Sequence, residues 1–325
     1  MDITEQIKKK LEKISKLQDD LGLQSVVTHI EIAEKYLTRG LQENDENIFS
    51  DVIYRTNHAF EGILKEAYQI LANKRADKKN IFEIEQYLLD NNIFNERVLD
   101  LFKNYRQEWR NPATHDYKLI FSEDEAFLAI INVSAFVNIL LNQILEKLSY
   151  NFEKKNIKKS INELKSSITN YNKLSLFDKV NSILSLFTNS IKINVFDLNK
   201  KEIELIGMLT AFISSLDKNI EIIREPLLED KEKNLRLRPD LILKYENDAL
   251  IVEVKKITHK KHDLAVENQL LTYLKSSGIR QGIIYYLPSD PTQQVATTRG
   301  KKVFEGIEYT IGINIASSID YNFGE

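Results

Sequence analysis

Residues 239–255 read Pro-Asp-Leu-Ile-Leu-Lys-Tyr-Glu-Asn-Asp-Ala-Leu-Ile-Val-Glu-Val-Lys. Two short apolar runs, 239–245 and 249–254, flank Glu246-Asn247-Asp248, residue types that suit a hairpin connection. Strand side chains alternate between faces. Leu250, Val252 and Val254 therefore share one face, while Glu253 and Lys255 share the other. On the neighbouring strand Arg238, Asp240 and Ile242 fall together. The pattern thus brings Asp240, Glu253 and Lys255 towards one place. Charges at the end of an apolar strand are costly to bury unless paired or put to use. A Glu-x-Lys by itself is ordinarily a salt bridge. Its juxtaposition with Asp240 is more specific.

Outward from this hairpin, Lys201 to Leu216 has helical periodicity. Further apolar runs occupy 220–223, 282–287 and 307–315, and a helix is expected over Asp263 to Lys275. Helix, three strands, helix and strand is an α/β order around a mixed sheet. Gln269 and Tyr273 lie four apart and so share a helix face. Two carboxylates suit a divalent cation and an adjacent lysine suits a polarised water, the equipment of metal-assisted phosphodiester hydrolysis.

Pro239-Asp240, Glu253-Val254-Lys255 and Gln269-x-x-x-Tyr273 together resemble the PD-(D/E)XK nuclease superfamily, in particular its RecB-like branch, over roughly residues 199–290. The resemblance implies a restriction-endonuclease-like fold and Mg²⁺ or Mn²⁺ held by Asp240 and Glu253. Lys255 would activate the attacking water and stabilise charge. Gln269 would orient the site or touch the nucleic-acid backbone, with Tyr273 beside it. An acid on the first core helix would complete the set, with Glu204 the first choice and Glu202 the alternative, because helical phase cannot choose between them.

Residues 1–150 carry apolar residues at helical spacing throughout, and Ser122-x-x-Glu125 forms a capping box before the last long apolar run. An up-and-down helical bundle is expected. Within it, Arg110-Asn111-Pro112-Ala113-Thr114-His115 falls where proline is expected to end a helix. That stop would place Arg110 and His115 close together. An imidazole can carry a proton near neutral pH, and a guanidinium can stabilise a phosphorane-like charge. Such a pair could cleave RNA without metal, with the 2′-hydroxyl as internal nucleophile. The motif, with Asn111 as the polar residue after the arginine, resembles the HEPN superfamily over roughly residues 20–150. The resemblance implies catalytic Arg110, Asn111 and His115 and a homodimer through this domain. His58 and Trp109 are expected to pack.

The composition frames both readings. At 325 residues the chain suits a HEPN-like bundle over 1–150, a helical connector over 151–198 and a nuclease-like domain over 199–325. The absence of cysteine removes disulfides and thiolate chemistry, and fits a cytoplasmic protein. Asn132, Ser134, Asn138, Asn142 and Gln143 interrupt the most apolar stretch, so a buried helix is expected there instead of a membrane span. The net charge of −3 requires any nucleic-acid contact to be local. Three basic clusters qualify: 154–159, 255–262 with Lys256, Lys260 and Lys261, and Arg299 with Lys301 and Lys302. Each is ordinarily a solvated face. The leading expectation is a DNA-cleaving, metal-dependent nuclease of prokaryotic antiviral defence, its HEPN part an RNase or a dimerising and regulatory module. Alternatives are a HEPN RNase with a nucleic-acid-sensing C-terminal domain, or a non-catalytic nucleic-acid-binding adaptor that also engages a regulatory partner protein.

Overall fold

The computed structural model describes residues 2–18, 22–115, 119–194, 200–230, 235–256, 264–287 and 295–316. They form two compact units, 1–148 and 149–325. The first is helical and the second is a mixed sheet with helices.

The first unit contains α1 (Ile3–Ser15), α2 (Leu23–Glu43), α3 (Asn47–Leu71), α4 (Ile81–Asp90), α5 (Glu96–Tyr105), a π-turn (Arg106–Arg110), α6 (Asn111–His115) and the start of α7 (Glu123–Ile157). Starts are set by polar caps. Asn80 accepts from the Glu83 amide while the Glu83 carboxylate accepts from the Asn80 amide. Ser122 and Glu125 exchange the same pair of bonds ahead of α7, as the sequence anticipates. Phe60 anchors the core, its ring 4.7 Å from Tyr105 and 5.1 Å from Phe136. By length and composition α7 passes for a membrane span, yet 56% of its most apolar window is buried inside the structure.

The expected helix stop at Pro112 does not occur. Asn111 keeps helical dihedrals (φ −67°, ψ −49°) and its amide donates to the Arg106 carbonyl, five residues back. A proline inside a helix lacks a donor and crowds the carbonyl four residues earlier. Widening the preceding turn to π geometry relieves that crowding, so the chain continues helically through Pro112 to His115.

The second unit continues with α8 (Ile161–Ser166), a 3₁₀ turn (Tyr171–Lys173), α9 (Leu176–Asn194) and α10 (Glu202–Leu216). It then runs β1 (Glu221–Arg224), β2 (Leu228–Asp230), β3 (Leu235–Leu237), β4 (Leu241–Tyr245), β5 (Asp248–Lys256), α11 (Leu264–Ser277), β6 (Gln281–Leu287), β7 (Val295–Phe304) and β8 (Ile307–Ala316). Six strands lie in the order β1-β4-β5-β6-β8-β7, and β2 and β3 form a separate ribbon. The β5–β6 and β6–β8 pairs are parallel and the rest antiparallel. One sheet face, through Leu250, Val252 and Val254, packs on α9 and α10. The other, through Ile242, Ile251 and Ile284, packs on α11. The α11 contact is close: a Cβ at Gly282 would sit 2.9 Å from Leu270 side-chain carbons.

Residues 151–198, expected as a connector, supply Phe177, Val180, Leu184 and Phe187 to this core, so α9 is a layer of the fold. Strands β2, β3 and β7 are additional to the expected runs. In β7 the lysines and threonines of an edge strand hide the alternation. A two-residue turn, Glu305 and Gly306, both at positive φ, joins β7 to β8.

Candidate active site

The β4–β5 register pairs Leu241 with Val252. One step further, Asp240 falls opposite Glu253. Val254 N–H donates to Asp240 Oδ2 at 2.7 Å, and Asp240 N–H donates to Glu253 Oε2 at 3.3 Å. Glu253 is 2% exposed. Lys255, two residues along the same face, places Nζ 2.8 Å from Glu253 Oε1. Strand alternation and hairpin register alone thus gather the three residues singled out in the sequence.

The electrostatics of the trio follow from burial. Burial, then the Glu253 charge, pushes the Asp240 carboxyl up to about 8. Burial likewise raises Glu253, with Lys255 opposing the rise. Burial alone would lower Lys255, but Glu253, Asp240 and Glu202 together outweigh it and hold the ammonium well above its usual range. Lys255 is therefore a cation at neutral pH, while burial and mutual repulsion favour a proton shared between the two acids.

The helix acid in this cluster is Glu202, with Oε1 3.3 Å from Lys255 Nζ. Glu204, the first choice from the sequence, instead turns back to accept from the Lys201 amide at 2.6 Å, in the third position of α10. Capping an orphan amide at the helix start draws its carboxylate away from the lysine.

From α11, Gln269 donates to the Tyr273 hydroxyl at 2.5 Å. Burial, then the charges of Glu253 and Asp240, raises the Tyr273 phenol, so this ring lies within the field of the acids. Lys256 points to the other strand face and donates to the Lys200 carbonyl at 2.5 Å. Lys260 and Lys261, singled out as nucleic-acid contacts, lie outside the described residues.

In the first unit, Arg110 lies at the end of the π-turn, with Nε 3.8 Å from Glu61 Oε1 and Nη1 donating to Asn111 Oδ1 at 3.2 Å. Arg106 Nε sits 3.1 Å from Oε2 of Glu85, which is 1% exposed. Burial raises the Glu85 carboxyl, and Arg110 and then Arg106 draw it back. Sequence reasoning passed over Glu85, because the contact joins α4 to the turn and leaves no local spacing signal. The backbone of His115 closes α6, and its side chain lies outside the described residues. Trp109 is buried, as expected; His58 stacks on His29 with ring centroids 5.0 Å apart.

No family model and no curated protein matches the chain.

Among the described residues, no group of three or more His, Cys, Asp or Glu side chains forms a ready-made metal cage. The donor chemistry at Asp240 and Glu253 nevertheless fits a divalent cation. Buried Glu253 and half-buried Asp240, which repel each other when charged, are hard oxygen donors whose ionisation a cation favours.

Proposed function

We propose that the second unit is a metal-dependent nuclease of the PD-(D/E)XK type acting on DNA. The observation that carries this reading is the Asp240–Glu253–Lys255 cluster, with Lys255 Nζ 2.8 Å from a buried carboxylate on a strand face. Asp240 and Glu253 would hold Mg²⁺ or Mn²⁺, which when bound supplies Lewis-acid polarisation of the scissile phosphate and its attacking water. A Lys255 held as a cation by its acidic neighbours suits stabilisation of negative charge growing on the phosphoryl oxygens and orientation of the attacking water. Glu202 keeps the ammonium at the edge of the site. Gln269, fixed on Tyr273, presents an amide for the nucleic-acid backbone.

For the first unit we read the Arg110–His115 segment as a HEPN-type, metal-independent RNase site completed by a second copy of the chain. Its support is the anchored Arg110 and an exposed apolar stripe: Ile120, Phe127, Leu128 and Ile131 are 63%, 51%, 49% and 41% exposed. A stripe of this kind fits a homodimer interface. A defence role, with one nuclease restraining or amplifying the other, belongs to the same reading.

Cleavage of labelled DNA and RNA, with and without EDTA, tests the assignment. Duplex DNA cleavage is expected to vanish in EDTA and in Lys255→Ala, and RNA cleavage to survive EDTA and vanish in His115→Ala. EDTA-resistant DNA cleavage that persists in Lys255→Ala would overturn the first assignment.

A further inference from the structure

Residues 154–173 hold six lysines, at 154, 155, 158, 159, 165 and 173, against one acid, Glu163. All six are exposed. None has an acidic partner among the described residues. The other described basic cluster is neutralised: Arg299 pairs with Asp178 at 3.3 Å, Lys301 with Glu308 at 2.8 Å and Lys302 with Glu267 at 2.5 Å. Lys154 and Lys155 end α7, where cations favour the helix dipole. That accounts for two lysines and leaves four.

Two of those four line a built concavity. Lys165, Ser166, Asn170, Tyr171, Asn172 and Lys173 border a hollow of about 370 Å³. Its floor is Tyr171, with Lys165 Nζ 5.7 Å from the ring centre. Behind the floor the ring is locked. Its hydroxyl donates to buried Asp217 at 2.8 Å, and Lys179, 2% exposed, lies 5.1 Å from the Tyr171 ring and 3.6 Å from that of Tyr245. A buried lysine that serves no catalytic step here holds this largely buried ring in place at the base of the hollow. Ammonium groups, amides and a hydroxyl around a fixed ring are the chemistry of phosphate-backbone recognition.

The position relative to the cluster is also informative. Tyr171 bonds to Asp217, the residue after α10, whereas Glu202 at the start of α10 meets Lys255. The 15 residues of α10 span about 22 Å at 1.5 Å each, or roughly six phosphates along one strand at 3.4 Å each.

We propose that the lysines of 154–173 and the hollow floored by Tyr171 bind the phosphate backbone of duplex DNA, about six nucleotides along the strand from the Asp240–Glu253–Lys255 cluster. The inference rests on the nuclease reading for its choice of DNA, and a binding experiment separates the two. The full-length protein is titrated in EDTA with a fluorescent duplex of about 25 base pairs, between about 50 and 200 mM KCl. Lys158→Gln/Lys159→Gln/Lys165→Gln/Lys173→Gln is compared with wild type and with Arg299→Gln/Lys301→Gln, whose cations are already paired. Each lost phosphate contact lowers the slope of log K against log salt by about 0.9. The four-lysine variant is expected to lose about 2 to 3.5 from the slope and at least tenfold in affinity at low salt, with unchanged melting. The paired-cation variant is expected to match wild type. Equal slopes in wild type and the four-lysine variant, or equal losses in both variants, would overturn the proposal. So would a loss confined to a single-stranded RNA probe. If the slope falls but DNA is never cut in Mg²⁺, the nuclease reading fails and this site stands.

Discussion

Replacing Asp240 with asparagine is expected to stabilise the metal-free protein at alkaline pH while abolishing cleavage. In the folded chain the Asp240 carboxyl is pushed from 3.8 up to about 8, so the native state binds its proton more tightly than the unfolded state does. Between those values the unfolded state sheds the proton first, and native stability falls as pH rises from about 4 to about 8. The upper bound is about 6 kcal/mol, at roughly 1.36 kcal/mol for each tenfold change in proton affinity. Residual hydration of the half-buried carboxyl reduces this to about 2–3 kcal/mol. An asparagine amide in its place cannot ionise, yet the amide carbonyl can still accept from Val254 N–H. Urea unfolding in EDTA from pH 5 to 8.5 is the assay. The gap between Asp240→Asn and wild type is expected to widen with pH to about 2–3 kcal/mol, and saturating Mg²⁺ to close it by stabilising only wild type. Parallel stability curves for the two proteins would refute the reasoning, because repulsion and burial at Asp240 would then be absent.

Further outcomes follow from particular contacts. Glu202→Gln is expected to lower DNA cleavage more than tenfold by loosening Lys255, whereas Glu204→Gln costs about 1 kcal/mol of stability through its cap and leaves the rate near wild type; steady-state rates and melting curves check both. Lys179→Met is expected to cost about 3 kcal/mol in denaturant unfolding by stranding buried Asp217, and Asp217→Asn in the same chain to recover most of it. Phe127→Glu is expected to convert a dimer to a monomer in light scattering, with loss of RNA cleavage and retention of DNA cleavage.

Much of the candidate site was legible because a strand's period is two. Alternation alone put Glu253 and Lys255 on one face, and the turn at Glu246-Asn247 set the register that brings Asp240 opposite. The helix acid was not legible. Glu202 and Glu204 point to different sides of the helix, and the sequence does not say which side meets the cluster; the capping bond from the Lys201 amide to Glu204 and the Lys255 contact of Glu202 decide it. Pro112 misled for a related reason: the π-turn that accommodates it depends on packing around Arg106 and Arg110, beyond local preference. Edge strand β7 was hidden by its polar alternation. The charge clusters looked alike as composition. They differ because Asp178, Glu267 and Glu308 come from elsewhere in the fold to neutralise β7. At the coarse level a helical part followed by a mixed sheet was evident from periodicity alone.

The most direct test of the central claim is the rate at which purified wild-type protein cuts duplex DNA in Mg²⁺, set beside Lys255→Ala and an EDTA control. The account expects cleavage by wild type in Mg²⁺ alone, falling by about a hundred- to a thousandfold in Lys255→Ala, on the scale of losing a preorganised charge at the transition state. Equal rates in wild type and Lys255→Ala would contradict it.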